Sequence, residues 1–167
     1  MLGENIVPIL GFEVTTNDDP QLDGMGLTIF CSGCMFDCNG CQNPTGKNPD
    51  NGIKMSLDDI KSKIKDSKDL VKSVTFCGGE FTLYPNQLKE LSKYCKDSDL
   101  KTILYTGNLY ENLDKVYVDY LDIVVDGPYN EDLRQNIFPA TRNQRVWVSG
   151  KLLNNEEIER LPINGYR

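Results

Sequence analysis

Cys31-Ser32-Gly33-Cys34-Met35-Phe36-Asp37-Cys38-Asn39-Gly40-Cys41 places four thiols within eleven residues, in a chain of 167 residues with six cysteines and no histidine. The missing histidine removes the commonest general base and any Ser–His or Cys–His pair. Chemistry must then run through thiolate, carboxylate or a bound cofactor. Three readings of the thiols compete. Tetrahedral zinc uses two cysteine knuckles a dozen or more residues apart, whereas only three residues separate the pairs here. An electron-transfer cluster takes four thiolates, with Cys31 as the fourth. The third reading uses Cys34, Cys38 and Cys41 alone. They would hold three irons of a [4Fe–4S] cube and leave the fourth open, and an open metal site is what chemistry needs.

Three further motifs carry polar groups. Cys77-Gly78-Gly79-Glu80 follows an apolar run, and its glycines let backbone approach a ligand closely. By itself it reads equally as a tight strand-to-helix turn. Thr106-Gly107 reads as a helix cap with a glycine turn, and Asp126-Gly127-Pro128-Tyr129 as a type I or II turn. Cys77 and Cys95 lie on apolar stretches and read as small buried residues.

The elements that position these motifs alternate. Residues 1–23 read as irregular, with a turn over Thr15 to Pro20, and Gly26 to Phe30 reads as a strand running into the cysteines. Asn43 to Gly52 reads as a loop. Ser56 opens a helix as part of a capping box with Asp59, its apolar face formed by Leu57, Ile60 and Ile64. Val71 to Phe76 is a short strand, and Pro85 starts a helix with Leu88, Leu91 and Cys95 on one stripe. Leu100 to Tyr105 is a strand, Tyr110 to Tyr120 a helix, Leu121 to Val125 a strand, and Arg145 to Val148 the last strand. Short β-branched strands alternating with helices imply parallel βα units and an α/β fold. In such sheets ligands sit at the carboxyl ends of the strands. The cysteines, Gly-Gly-Glu, Thr-Gly and Asp-Gly all fall there.

An eight-stranded α/β barrel usually needs more than about 200 residues, so a shortened, open barrel in a single domain over residues 1–167 is expected. A net charge of −7 argues against a nucleic-acid partner. No apolar run is long enough to span a bilayer and no secretory signal stands at the start, which predicts a cytoplasmic, membrane-free protein with reduced thiols.

Together, Cys34-x-x-x-Cys38-x-x-Cys41 and Gly78-Gly79-Glu80 about forty residues later resemble the radical S-adenosylmethionine (SAM) superfamily. Asn43-Pro44 is similar to its activase branch. Asp23-Gly24-Met25-Gly26, Val125 to Tyr129 and Asn143-Gln144-Arg145, in that order, resemble the activating proteins of anaerobic (class III) ribonucleotide reductases, over most of residues 20–148. Met25 stands where relatives commonly have proline, Thr28 near a usually basic position, and Ala140-Thr141-Arg142 where glycine and serine usually precede Asn-Gln-Arg.

The resemblance implies a partial radical SAM barrel with a cluster loop over 31–43 and SAM-binding strand ends at 77–80, 106–107 and 126–129. It implies Cys34, Cys38 and Cys41 as cluster ligands, with Cys31 a bystander, and Asn43, Gly78, Gly79, Glu80 and Thr106 as SAM contacts. Glu80 would take the methionine ammonium, and Thr106 the ribose or carboxylate. Asp126 would be catalytic, lining the place where a target glycine comes in near Tyr129 and Asn143-Gln144-Arg145. The implied activity is reductive SAM cleavage that leaves a glycyl radical on the anaerobic ribonucleoside-triphosphate reductase, fed by a one-electron reductant such as flavodoxin or ferredoxin. Alternatives are an activase of another glycyl radical enzyme such as pyruvate formate-lyase, a small-molecule radical SAM enzyme, and a ferredoxin-like carrier. The three-thiolate reading makes a direct prediction. Anaerobic reconstitution should give about four irons per chain, lost in Cys34→Ala, Cys38→Ala or Cys41→Ala and retained in Cys31→Ala.

Overall fold

A computed structural model describes residues 3–16, 18–21 and 24–165. Asp23 of the first resemblance motif lies outside them. One sheet of eight strands organises the chain, in the order β3-β1-β2-β4-β5-β6-β7-β8. Its strands are β1 (Ile6–Thr15), β2 (Gly26–Cys31), β3 (Ile53–Ser56), β4 (Ser73–Gly78), β5 (Lys101–Tyr105), β6 (Ile123–Asp126), β7 (Arg145–Val148) and β8 (Lys151–Leu152). β2, β4, β5 and β6 are parallel neighbours, as expected. Antiparallel strands border them on both sides, which the sequence reading did not anticipate. The sheet does not close, so the barrel is partial.

The helices follow their local signals. α1 (Leu57–Ser67) starts at Ser56, whose hydroxyl oxygen accepts the Asp59 N–H at 3.1 Å. Pro85 opens α2 (Pro85–Asp97), which buries Leu88, Leu91 and Cys95. The helix expected over 110–120 is cut short. A 3-10 turn spans Tyr110–Asn112, and α3 covers only Lys115–Val118. Asp126 takes the Tyr110 N–H, and Asp114 caps a new helix through the Val116 N–H at 2.9 Å, so a single helix cannot run through. Two short C-terminal helices, α4 (Asn155–Glu159) and α5 (Pro162–Gly165), end the described chain. Among the described residues, no helix is long and apolar enough to cross a membrane.

The irregular segment expected over 1–23 is instead dominated by β1, a ten-residue strand between β2 and β3. Pro8 and Gly11 read as strand breakers, yet the strand carries them with a register shift between Ile9 and Gly11. Burial wins: Val7 and Ile9 are 0% and 2% exposed in the core. Arg145–Val148 is likewise not the last strand, since β8 follows it. Asp122 interrupts the apolar run before β6, and its carboxylate caps the Thr102 N–H at 2.8 Å.

Strand alternation divides the core in two. Leu27, Ile29, Cys31, Val74, Phe76 and Leu104 share one cluster with α1 and α2. Ile103, Ile123, Val125 and Val146 share another with Phe138, Ile158 and Leu161, so the C-terminal segment fills part of the barrel interior. Because β1 supplies core surface rather than a loose leader, Ile9→Ala should destabilise the chain by about 2–5 kcal/mol in chemical denaturation.

Candidate active site

Eight of the residues expected at the site, Cys34, Cys38, Cys41, Asn43, Gly78, Gly79, Glu80 and Thr106, line one cavity of about 580 Å³ at the carboxyl ends of the parallel strands. The cysteines sit on an irregular loop that leaves β2, where Gly33 has φ +98°. Backbone bonds hold that loop on both sides. The Gly33 and Cys34 N–H groups donate to the carbonyls of Gly46 and Lys47 at 2.8 and 3.1 Å, and the Glu80 N–H donates to the Gly33 carbonyl at 2.8 Å. Cys41 N–H turns back onto the Cys38 carbonyl. The loop also reaches across the cavity mouth, since the Asn39 carbonyl accepts the Glu131 N–H at 3.1 Å. Phe36 packs its ring on Gly107, where any Cβ would come within 2.7 Å of it.

Strand parity separates the thiols. Cys31 has the parity of Leu27 and Ile29, so it points to the helix side and is fully buried. Burial pushes its thiol well up. Cys77 has the opposite parity, with Phe30 opposite it in register, and both line the cavity. The small-buried-residue reading thus misplaces Cys77, which stands at the cavity with its thiol pushed by burial up to about 12. The signal was present: Ser73, Thr75 and Cys77 alternate with the helix-facing Val74 and Phe76. Cys95 is 0% exposed between α2 and the sheet. Cys34 is raised by partial burial.

Glu80 is 1% exposed, yet among the described residues no basic side chain pairs with it. Four neutral donors surround its carboxylate: Thr82 N–H at 3.2 Å, Thr82 hydroxyl at 2.8 Å, Thr106 hydroxyl at 2.9 Å and Gly107 N–H at 2.9 Å. Burial raises its proton affinity and these bonds counter it. A buried carboxylate with neutral partners is a receptor for a cation, and an ammonium group fits. Thr106 gives its only hydrogen to Glu80 and accepts the Asn108 N–H at 3.0 Å. Its position therefore suits a brace for Glu80.

Asp126 lies elsewhere. Its carboxylate is 0% exposed and accepts the Tyr110 N–H at 2.7 Å and the Arg145 Nε–H at 3.0 Å, with Arg145 Nη2 also on it. Arg145 forks further onto Glu111 at 2.9 and 2.7 Å, holding that carboxylate down to about 2. Asp126 is absent from the cavity lining, whereas Gly127, Tyr129 and Gln144 belong to it. Asn143 donates to the Pro128 carbonyl at 2.7 Å, so the expected segment does stand at the rim. Residues not singled out from sequence complete the walls: Tyr105, Lys47, Arg134 and Phe138. Tyr105 was legible as the inward-facing end of β5.

The donor set suits an iron–sulfur cube. Three thiols, glycine-lined strand ends and a buried carboxylate face one cavity. Among the described residues, no three His, Cys, Asp or Glu side chains are grouped to hold a single metal ion.

The chain is 27% identical to the anaerobic ribonucleoside-triphosphate reductase-activating protein of Enterobacteria phage T4, over 74% of this chain and 84% of that one. It is 26% identical to the protein of the same name in Escherichia coli (strain K12), over 74% and 88%. The pyruvate formate-lyase-activating enzyme of Clostridium pasteurianum is 30% identical over 62% of this chain but only 46% of its own length. In fold, the chain is similar to QueE from Escherichia coli, with a TM-score of 0.53 at 13% identity, covering 70% of this chain and 68% of that one. The 4Fe-4S single cluster domain family matches residues 22–147, a span that opens just before β2, closes inside β7 and takes in the cysteine loop and the strand ends from Gly78 to Gly127. The chain belongs to that family.

Proposed function

We propose that the chain generates a glycyl radical on an anaerobic ribonucleoside-triphosphate reductase, using SAM and a [4Fe–4S] cluster on Cys34, Cys38 and Cys41. The observation that carries the reading is the buried, cation-less Glu80 in the same cavity as three thiols. Held by Cys34, Cys38, Cys41 and Glu80, the cluster and SAM would supply one-electron reductive cleavage and hydrogen-atom abstraction. An outside reductant of the flavodoxin or ferredoxin kind provides the electron.

The chain's own residues bind, orient and exclude. Glu80 accepts the SAM ammonium, held in place by Thr82, Thr106 and Gly107. Asn43, Gly78 and Gly79 line the space beside it. Phe36, Phe30 and Tyr105 form apolar walls that keep water from the reacting centre. No proton needs moving for hydrogen-atom abstraction, so the absence of histidine is no obstacle. Tyr129, Gly127 and Gln144 at the rim leave room for a backbone loop of a protein partner, since the sheet is open. Asp126 acts at one remove: it ties β6 to Arg145 of β7 and to the backbone of Tyr110, which fixes the rim.

The reductase is preferred as partner because the relatives named for it match over most of their length. A pyruvate formate-lyase type partner is the second reading, supported by the 30% identity to that activase, of which the chain spans less than half. The test incubates reduced, cluster-loaded protein and SAM with each candidate enzyme. An EPR doublet of a glycyl radical should appear on the anaerobic reductase. A doublet on pyruvate formate-lyase alone would move the chain to the second partner, and turnover of a small molecule with no protein radical would end the activase reading.

Asp126→Ala separates positioning from catalysis. It leaves the Tyr110 N–H without its acceptor, so unfolding should become easier by about 1–3 kcal/mol. SAM cleavage without partner should persist while radical transfer falls. Loss of SAM cleavage itself would place Asp126 in the reacting centre instead.

A further inference from the structure

We infer that Gly46, outside both the cysteine and the Gly-Gly-Glu motifs, is a positioning residue that sets Glu80 against the cysteine loop and so governs how tightly SAM is held; this rests on the radical SAM reading above. Three backbone segments meet here with no side chain between them. The Gly46 carbonyl accepts the Gly33 N–H at 2.8 Å, the Gly33 carbonyl accepts the Glu80 N–H at 2.8 Å, and the Cys31 carbonyl accepts the Gly79 N–H at 2.7 Å. Tyr84 closes the far side, its hydroxyl donating to the Ser32 carbonyl at 2.6 Å.

A Cβ would clash with backbone at Gly79 and with a hydroxyl at Gly33, and at Gly46 it would be tight enough to force its neighbours to shift. A Cβ on Gly79 would stand 2.7 Å from the Gly46 carbonyl oxygen and closer still to that of Gly33. On Gly33 it would stand 2.6 Å from the Tyr84 hydroxyl. On Gly46 it would stand 2.9 Å from Asn43 Nδ2 and 3.2 Å from the Gly79 nitrogen. Gly33 precedes Cys34 directly, and its carbonyl holds the Glu80 backbone. One hydrogen bond therefore fixes the first cluster cysteine and the ammonium receptor in a common frame, and Gly46 lies under it. The Asn43 amide can swing aside, so a methyl at 46 bears chiefly on the Gly79 nitrogen, and Gly79 carries the chain directly into Glu80. The thiols themselves lie on other residues of the loop, so the cluster is spared.

The experiment uses cluster-loaded protein and reads iron content, SAM affinity by equilibrium dialysis, and the EPR spectrum of the reduced cluster with and without SAM. Gly46→Ala should keep the wild-type iron content, bind SAM at least about tenfold more weakly, and lose the SAM-dependent change in the spectrum at a concentration that saturates wild type. Because Gly46 acts through Glu80, adding Gly46→Ala to Glu80→Ala should change the affinity by less than about twofold. Affinity of Gly46→Ala within about twofold of wild type would overturn the inference, as would a full tenfold loss in the Glu80→Ala background. Failure of Gly46→Ala to load iron would overturn the inference too, since the cluster would then not be spared. Failure of the wild-type protein to bind SAM at all would instead bring down the functional reading, before any variant is measured.

Discussion

A carboxylate buried to 1% exposure among neutral partners is the constraint around which the site is built. Removing Glu80 from water disfavours its charge, and hydrogen bonds from hydroxyls and backbone only partly offset that cost. The donors must therefore come from several elements at once. Thr82 arrives from the turn after β4, Thr106 and Gly107 from the end of β5. Those strand ends must lie side by side, which parallel pairing of β4 and β5 achieves. The same residue's backbone is bonded to Gly33, and through it to the cysteine loop. Sheet topology, strand parity and the loop's glycines all serve one ion-receptive point.

Much of this was legible in the sequence because the signals were local and redundant. The spacing of Cys34, Cys38 and Cys41 marked them as candidate cluster ligands, and the strand-end positions of Gly78 to Glu80 and Thr106 followed from β-branched runs ending in glycine. α1 and α2 were found by a serine cap and a proline at the first turn. What escaped was set by tertiary contact. β1 looked irregular because Pro8 and Gly11 break its pattern, and only burial against β2 and β3 makes a strand of it. The segment after Tyr110 has a helical sequence, but Asp126 captures its backbone. Asp126 itself was recognised as special for its place at a strand end. Nothing local revealed that Arg145, directly across in the antiparallel register, would turn its carboxylate away from the cavity.

The antiparallel borders are how a short chain manages without a full barrel. A closed eight-fold barrel fills its interior with side chains from its own strands. Here β7 and β8 turn back along the open side, and Phe138, Ile158 and Leu161 fill part of the interior from the C-terminal segment. Filling from outside the sheet leaves the upper space free and bounded by residues of very different origin, from Asp18 to Ile163. The walls nearest the cysteines come from the ends of the parallel strands, whereas others come from the connection after β6 and from the C-terminal segment. The two sides of the cavity are thereby built by separate parts of the chain.

Trp147 shows another outcome of the same border. It is the chain's single tryptophan, and its ring stacks on Tyr110 at 4.0 Å and 10° while the Arg145 guanidinium lies 5.2 Å from its centre. Tyr110 and Arg145 are the two residues that hold Asp126. Indole emission depends on the charges and rings beside it, and the chain's one indole is seated on the strut that steadies the rim. Excitation at the red edge of the aromatic band, where the eight tyrosines do not absorb, therefore samples this strut alone.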